Sequence, residues 1–222
     1  MLQVSEAWKQ FYPGAGVGVM LLDQVSNPTI SEELEVEKRR VETQLRAQFT
    51  DRQMLVNNPI LKAYADYYKQ FAKTYHVQQQ LESVIFKGKS IPAVAGLVEA
   101  MFMAELNNGL LTAGHDYQTL RLPLKLDVAD PDERYVLMNG KEQAVKSGDM
   151  RINDAVGVIS SIIHGPDERT RITANTQKVV YVVYAPPGIA HELILQHLTD
   201  IHGYVKLFAP GVKMLERFVL NS

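Results

Sequence analysis

The hydrophobic period of this chain changes once, near residue 118, from helical to strand-like, and that change limits the fold more than any other feature. Ahead of it, Leu34, Val41, Leu45 and Phe49 keep one stripe, and Ile60, Tyr64, Tyr67, Tyr68, Phe71 and Tyr75 fall at offsets 0, 4, 7, 8, 11 and 15 of a helix face. Beyond it, Leu120, Leu122, Leu124 and Leu126 alternate with Arg121, Pro123, Lys125 and Asp127, the period of two expected of a half-buried strand. Helices followed by short strands predict an α+β fold: an N-terminal strand and helices packed with a mainly antiparallel sheet in the second half. With 46% hydrophobic and 22% charged residues, 222 residues suffice for one compact domain, 1–222. No repeat or linker divides the chain, and a boundary near residue 80 stays open.

Local signals place the elements. The apolar run 15–25, closed by Asn27-Pro28, predicts a buried first strand. Thr29 and Glu32 have capping-box spacing ahead of a helix, Asn58-Pro59 opens a second, and Ser90 with Pro92 opens a third that Asn107-Asn108-Gly109 stops. In the second half, Asn139-Gly140 between 135–138 and 142–145 predicts a two-residue hairpin turn, since both central residues of a type I′ turn need positive φ. Strands are expected over 156–163 and 179–184 and a last helix over roughly 189–201.

Several chemistries drop out. Gly14, Gly16 and Gly18 suggest a dinucleotide loop, but Val19 stands where the third glycine belongs, and the segment precedes a strand instead of following one. His191-Glu192 and His197 lie six apart, which puts the second imidazole about 240° around a helix, so they are not expected to share a zinc ion. These histidines are read as solvated or capping groups. No nucleophile elbow, phosphate loop or kinase signature occurs. The absence of cysteine removes thiolate chemistry and fits a reducing, cytoplasmic setting. No run is long and apolar enough for a membrane span, and 23 basic against 25 acidic residues give no bulk attraction to a polyanion. The tyrosine stripe reads as core packing, with base stacking as the alternative. Neither a metal nor a cofactor is expected.

What survives is a set of polar residues at turns between residues 87 and 176. In 169–173, Arg169, Arg171 and Thr173 share a parity, so an extended backbone would aim two cations and a hydroxyl one way. Two readings stay open there: a site for a small anionic or polar ligand, and a solvated strand edge.

The stretches Met138-Asn139-Gly140-Lys141-Glu142, Ser147 to Asp154, Gly157-Val158-Ile159 and Thr176 to Val180 occur in the order and spacing of a known module. Lys89-Ser90-Ile91-Pro92, the helix end Glu105-Leu106 and the turn His115-Asp116 lie upstream in the same order. Residues 80–188 thereby resemble the B3/B4 editing domain of the β subunit of phenylalanyl-tRNA synthetase, with 1–79 as an N-terminal elaboration. The resemblance implies an α+β module whose pocket hydrolyses a wrong amino acid from a tRNA 3′ end. It aligns Gly140 with the family's hairpin glycine, Thr176 with the threonine opening the last pocket strand, and Lys89 with an arginine. Glu105 and His115 fall near acidic and histidine positions of the family. Val156 stands where the module has an acidic residue, and Arg169 lies in the segment matching its glycine-rich loop. A different amino acid is therefore expected.

These considerations nominate His115, Thr173 and Thr176 as catalytic and Lys89, Glu105, Gly140, Arg169, Arg171 and Asn175 as substrate-binding. The expected partner is an aminoacylated tRNA 3′ end, with no DNA and no membrane partner. Three functions remain in view: a trans-acting editing hydrolase, a non-catalytic amino-acid or metabolite binder, and a tRNA-binding accessory domain. A basic patch joining Lys87, Lys89, Arg169 and Arg171 would favour those that involve tRNA.

Overall fold

The computed structural model describes residues 1–222, an α+β chain. In order it runs β1 Leu2–Val4, α1 Glu6–Phe11, β2 Gly16–Asp23, α2 Glu32–Gln48, α3 Arg52–Val56, α4 Pro59–Lys69, α5 His76–Phe86 and α6 Gly96–Asn108. The second half adds β3 Leu111–Asp116, β4 Leu124–Val128, β5 Arg134–Val136, β6 Glu142–Ala144, β7 Met150–Asn153, β8 Val158–Ser161 and β9 Gly165–Pro166. It closes with β10 Lys178–Ala185, α7 His191–Phe208 and β11 Lys213–Asn221. No helix is long and apolar enough to cross a membrane.

Two main sheets form. The first has the order β11-β2-β10-β3 and is antiparallel throughout; the second has the order β1-β4-β7-β8-β9, with only the β1–β4 pair parallel. Strands β5 and β6 make a separate hairpin. Tyr181 and Tyr184 of β10, odd and even in sequence, face opposite ways. Tyr181 donates to the Leu97 carbonyl of α6 at 2.8 Å, while the Tyr184 hydroxyl meets that of Ser160 on β8. The first sheet therefore lies between α6 and the second sheet. One cluster of 56 buried apolar residues runs through both sheets and the helices.

The glycine series of β2 has a packing cause. A Cβ on Gly18 would stand 2.4 Å from Ile194 Cγ2, and one on Gly16 would stand 2.8 Å from Ile194 Cδ1. Bare backbone at these positions lets α7 lie against the sheet.

Several boundaries differ from the sequence expectation. The cap of α2 is Ser31, whose side chain accepts from Leu34 N, two residues past Thr29. Helix α6 starts at Gly96, because 90–95 contains Pro92 and runs irregularly. Helix α4 stops at Lys69, yet Tyr75 returns to the same cluster and stacks on Tyr64 at 4.4 Å, so all four tyrosines of the stripe are buried. Of the leucine alternation only Leu124–Val128 is strand; Pro123 has no N–H for a ladder. At the hairpin, Gly140 N donates to Leu137 O and Leu137 N to Lys141 O, and only Gly140 has positive φ. That pattern is a three-residue loop with a glycine bulge, not a two-residue turn. Residues 169–173 form a turn and irregular chain, so the shared parity of Arg169, Arg171 and Thr173 does not aim them together. The last helix extends to Phe208, and β11 pairs with β2 beyond anything the periodicity indicated.

Candidate functional site

A cavity of about 410 Å³ opens between α6, the outer edge of β3, and the segments 161–166 and 171–174. Val98, Met101 and Phe102 of α6 give it an apolar wall, and exposed Met138 from the hairpin, Arg171 and Thr173 stand at its mouth. Past Phe102 and His76, which belong to both, lies a more polar groove of about 330 Å³ with Gln79, Gln80, Ser83, Lys89 and Ser90. An apolar chamber with few polar groups, joined to a polar channel, is the form of a small-molecule site.

Glu105 is the acidic group of the chamber. Asn107 and Asn108 end α6, and Gly109 at φ +74° turns the chain back so that β3 starts beside the last helical turn. Glu105 Oε1 there accepts from Thr112 N at 2.8 Å. Only 2% exposed, its carboxyl is pushed up to about 8 by burial, against the opposing pull of the Thr112 N–H. At neutral pH the empty chamber thus holds a mostly neutral acid.

His76, the first residue of α5, supplies a base. Its Nδ1 lies 3.3 Å from the Tyr68 hydroxyl, which donates to the Ile162 carbonyl at 2.8 Å. With its hydrogen committed, that hydroxyl accepts from Nδ1–H, leaving Nε2 as the lone pair. The residue as a whole is exposed, but neighbours packed on the ring desolvate it enough to hold its pKa below the ordinary imidazole value, so the group is a neutral acceptor. Sequence reasoning missed it: one histidine after an aromatic stripe carries no signal.

The edge of β3 completes the wall. In the pairing with β10, Thr112, Gly114 and Asp116 stand opposite Val183, Tyr181 and Val179. Asp116 N donates instead to Thr170 O, and Thr112 N to Glu105, so these alternate residues turn their polar groups away from β10. Gly114, between them, lines the chamber.

The residues nominated from sequence divide among several places. Glu105, Arg171 and Thr173 touch the chamber and Lys89 the groove. His115 does not line it: wholly buried, it places Nδ1 2.7 Å from Thr170 Oγ1, and Thr170 in turn donates to Asp167. Burial, aided by the Arg169 charge, lowers its pKa to about 4. Thr176 is also absorbed by structure, donating to Asp116 Oδ2 at 2.7 Å and accepting from Thr173 N at 2.9 Å. Arg169 pairs with Asp154 at 2.9 Å in a separate depression shared with exposed Val156. The expectation that Arg169 and Val156 alter the chamber's choice of amino acid is thereby corrected, since neither reaches it. Gly140 sits on the exposed hairpin with nothing within 4 Å of a Cβ, and Asn175 N donates to Thr173 Oγ1 at an exposed turn. Lys89, Arg171 and Arg169 border three different spaces, so no single pocket gathers them.

The C-terminal helix holds another correction. His197, read as a solvated or capping group, is fully buried, with Nε2 2.6 Å from Thr112 Oγ1 and Nδ1 3.2 Å from Asn108 Nδ2. It braces β3 from behind. No group of three or more His, Asp or Glu side chains comes together as a metal site.

The α+β fold with these two sheets is that of a solved structure, an N-terminal fragment of the phenylalanyl-tRNA synthetase β subunit from Pyrococcus horikoshii. The TM-score is 0.51 at 13% identity, over 100% of this chain and 54% of that one. The chain therefore spans about half the length of that fragment, and at this identity the likeness is one of fold. No protein-family model and no curated protein matches the sequence.

Proposed function

We propose that the chain is a trans-acting editing hydrolase that removes an amino acid from a tRNA 3′ end. One observation carries the reading: an apolar chamber and a polar groove meet at His76, a neutral imidazole with a free lone pair. An aminoacyl ester has that bipartite form, with a side chain for the chamber and a ribose for the groove. The distant likeness to a synthetase fragment supports it.

In this reading the carbonyl carbon rests beside His76. Water adds to it and gives its proton to Nε2; the ester C–O bond breaks, and the departing ribose oxygen takes that proton back. The products are the free amino acid and the tRNA. The ester is already activated, so positioning and one base suffice without a covalent intermediate. Glu105 offers its carboxyl to the amino-acid main chain, Thr173 and Arg171 border the mouth, and Lys89 attracts phosphate. With a net charge of −2, tRNA affinity rests on such local contacts and falls with salt. The segment 1–79, which supplies His76, belongs in this reading to the same unit as 80–188.

Release of amino acid from a panel of mischarged tRNAs tests this directly. Acceleration over the buffer rate for at least one member, lost in His76→Gln, is expected; no acceleration for any member overturns it. The second reading, amino-acid binding without hydrolysis, has one observation in its favour: the chamber hydroxyl that meets an imidazole, Thr112, faces His197 Nε2 while Nδ1 of that ring takes the Asn108 amide, so Nε2–H donates to Thr112 and does not act as its base.

A further inference from the structure

The free edge of β3 offers a site of its own. Three residues turn their main-chain polar groups outward from the first sheet. Thr112 N is capped by Glu105 at 2.8 Å and Asp116 N by Thr170 O at 2.8 Å. Gly114 lies midway, so by the alternation of the ladder its N–H and C=O face the same way, and no hydrogen bond outside the strand ladders involves either. It is buried from bulk solvent yet lines the chamber. A buried peptide group left open between two capped ones runs against the near-complete pairing of buried backbone.

The residue type fits the same purpose. A Cβ at Gly114 would stand 2.7 Å from Ile172 Cδ1 and 3.3 Å from Tyr181 Cε1, so glycine lets the 171–174 wall close over the strand while the edge stays bare.

Resting on the proposed function, we infer that the Gly114 peptide group is the docking point for the main chain of an L-α-amino acid derivative. The ligand's carbonyl oxygen accepts from Gly114 N–H, and its α-ammonium donates to Gly114 C=O, as a single residue added to a sheet edge. The same contact orients the carbonyl, and the N–H is placed to stabilise negative charge growing on that oxygen. Glu105, which holds Thr112 N, lies on the Gly114 N–H side of this pair, toward the ligand's carbonyl. Side-chain choice then belongs to the apolar wall, and recognition of the common main chain belongs to the strand.

Amide hydrogen exchange on the ¹⁵N-labelled full chain tests this without any assay of hydrolysis. In the free protein, Gly114 N–H is expected to exchange about 100-fold faster than Ala113 and His115, whose amides face β10. The probes are the L-amino-acid amides, tested singly, and for each binder the matched amine lacking the carbonyl. A binding amide is expected to shift the Gly114 resonance and slow its exchange about tenfold or more, while the matched amine shifts only wall methyls such as those of Ile172 and Val98. Protection of Gly114 in the free protein equal to that of Ala113 overturns the inference. So do amides that move the wall methyls and leave Gly114 unchanged, an outcome that spares the reading of the chamber. If no amide perturbs either, the chamber reading falls and takes the inference with it.

Discussion

The chamber beside β3 and the polar cluster around Asp154, Asp167 and Thr176 lie at opposite ends of one spectrum. The cluster holds most of the polar side chains, and all but the buried, unpartnered Nε2 of His115 are spent on one another: Thr170 with His115 and Asp167, Arg169 with Asp154, Thr176 with Asp116. The chamber is more apolar, yet three of its polar groups, Glu105, His76 and the Gly114 peptide, keep capacity to spare. Density of polar residues in a sequence therefore marks a network that fastens loops together. Unspent hydrogen-bonding capacity, visible only in three dimensions, marks a place for a ligand.

The contrast is sharpest at the base. His76→Gln is expected to lower the deacylation rate constant about 10²- to 10⁴-fold with little change in KM, and to abolish the acid limb of the pH–rate profile. That limb should lie below the ordinary imidazole pKa, the direction in which desolvation moves His76. Single-turnover kinetics across pH measures both quantities. A His115→Gln variant that lost rate in the same way, with unchanged stability, would return catalysis to the polar cluster.

The next largest effect is on stability, through Glu105. Its folded pKa of about 8 lies above its ordinary value of 4.5, so between those limits the folded state holds the extra proton. Stability from this group is complete below about pH 4.5 and is lost as pH rises toward 8. Glu105→Gln keeps an acceptor for Thr112 N–H and removes the titration. Its stability relative to the parent should rise by a few kcal/mol between pH 5 and pH 9, read from urea midpoints. A ligand ammonium favours the ionised acid, so binding near pH 7 should release a proton, measurable by calorimetry in buffers of different ionisation enthalpy.

Thr176→Val probes the cluster as a fastening device. It leaves Asp116 Oδ2 and Thr173 N without their partner and should cost about 1–3 kcal/mol of stability, with ligand affinity within about twofold of the parent. Arg169→Ala is expected to do least: a loss of about 1 kcal/mol or less, and no change in which amino acid binds. A change of amino-acid preference in that variant would show that the depression and the chamber communicate, and would blur the line between the two regions.

Much of the architecture was legible in local patterns. The change of period near residue 118, the Asn58-Pro59 cap, the tyrosine stripe and the stop at Asn107-Asn108-Gly109 all correspond to features of the fold. The misses have definite causes. Proline displaced the starts of α6 and β4, and β11 is an edge strand whose exposed pattern resembles surface chain. At the site, Glu105 was visible as the acidic end of a helix, whereas His76 stands in the segment read as elaboration.

By itself the sequence determined the elements and their caps, because those follow from interactions within about ten residues along the chain. Where the polar groups find their partners was decided by the tertiary structure alone. Thr170 reaches His115 across 55 positions and Thr176 reaches Asp116 across 60. The bare edge at Gly114 exists because β3 is last in its sheet and no further strand pairs with it. Strand order and edge occupancy are set by packing among distant segments, which no local window of residues encodes.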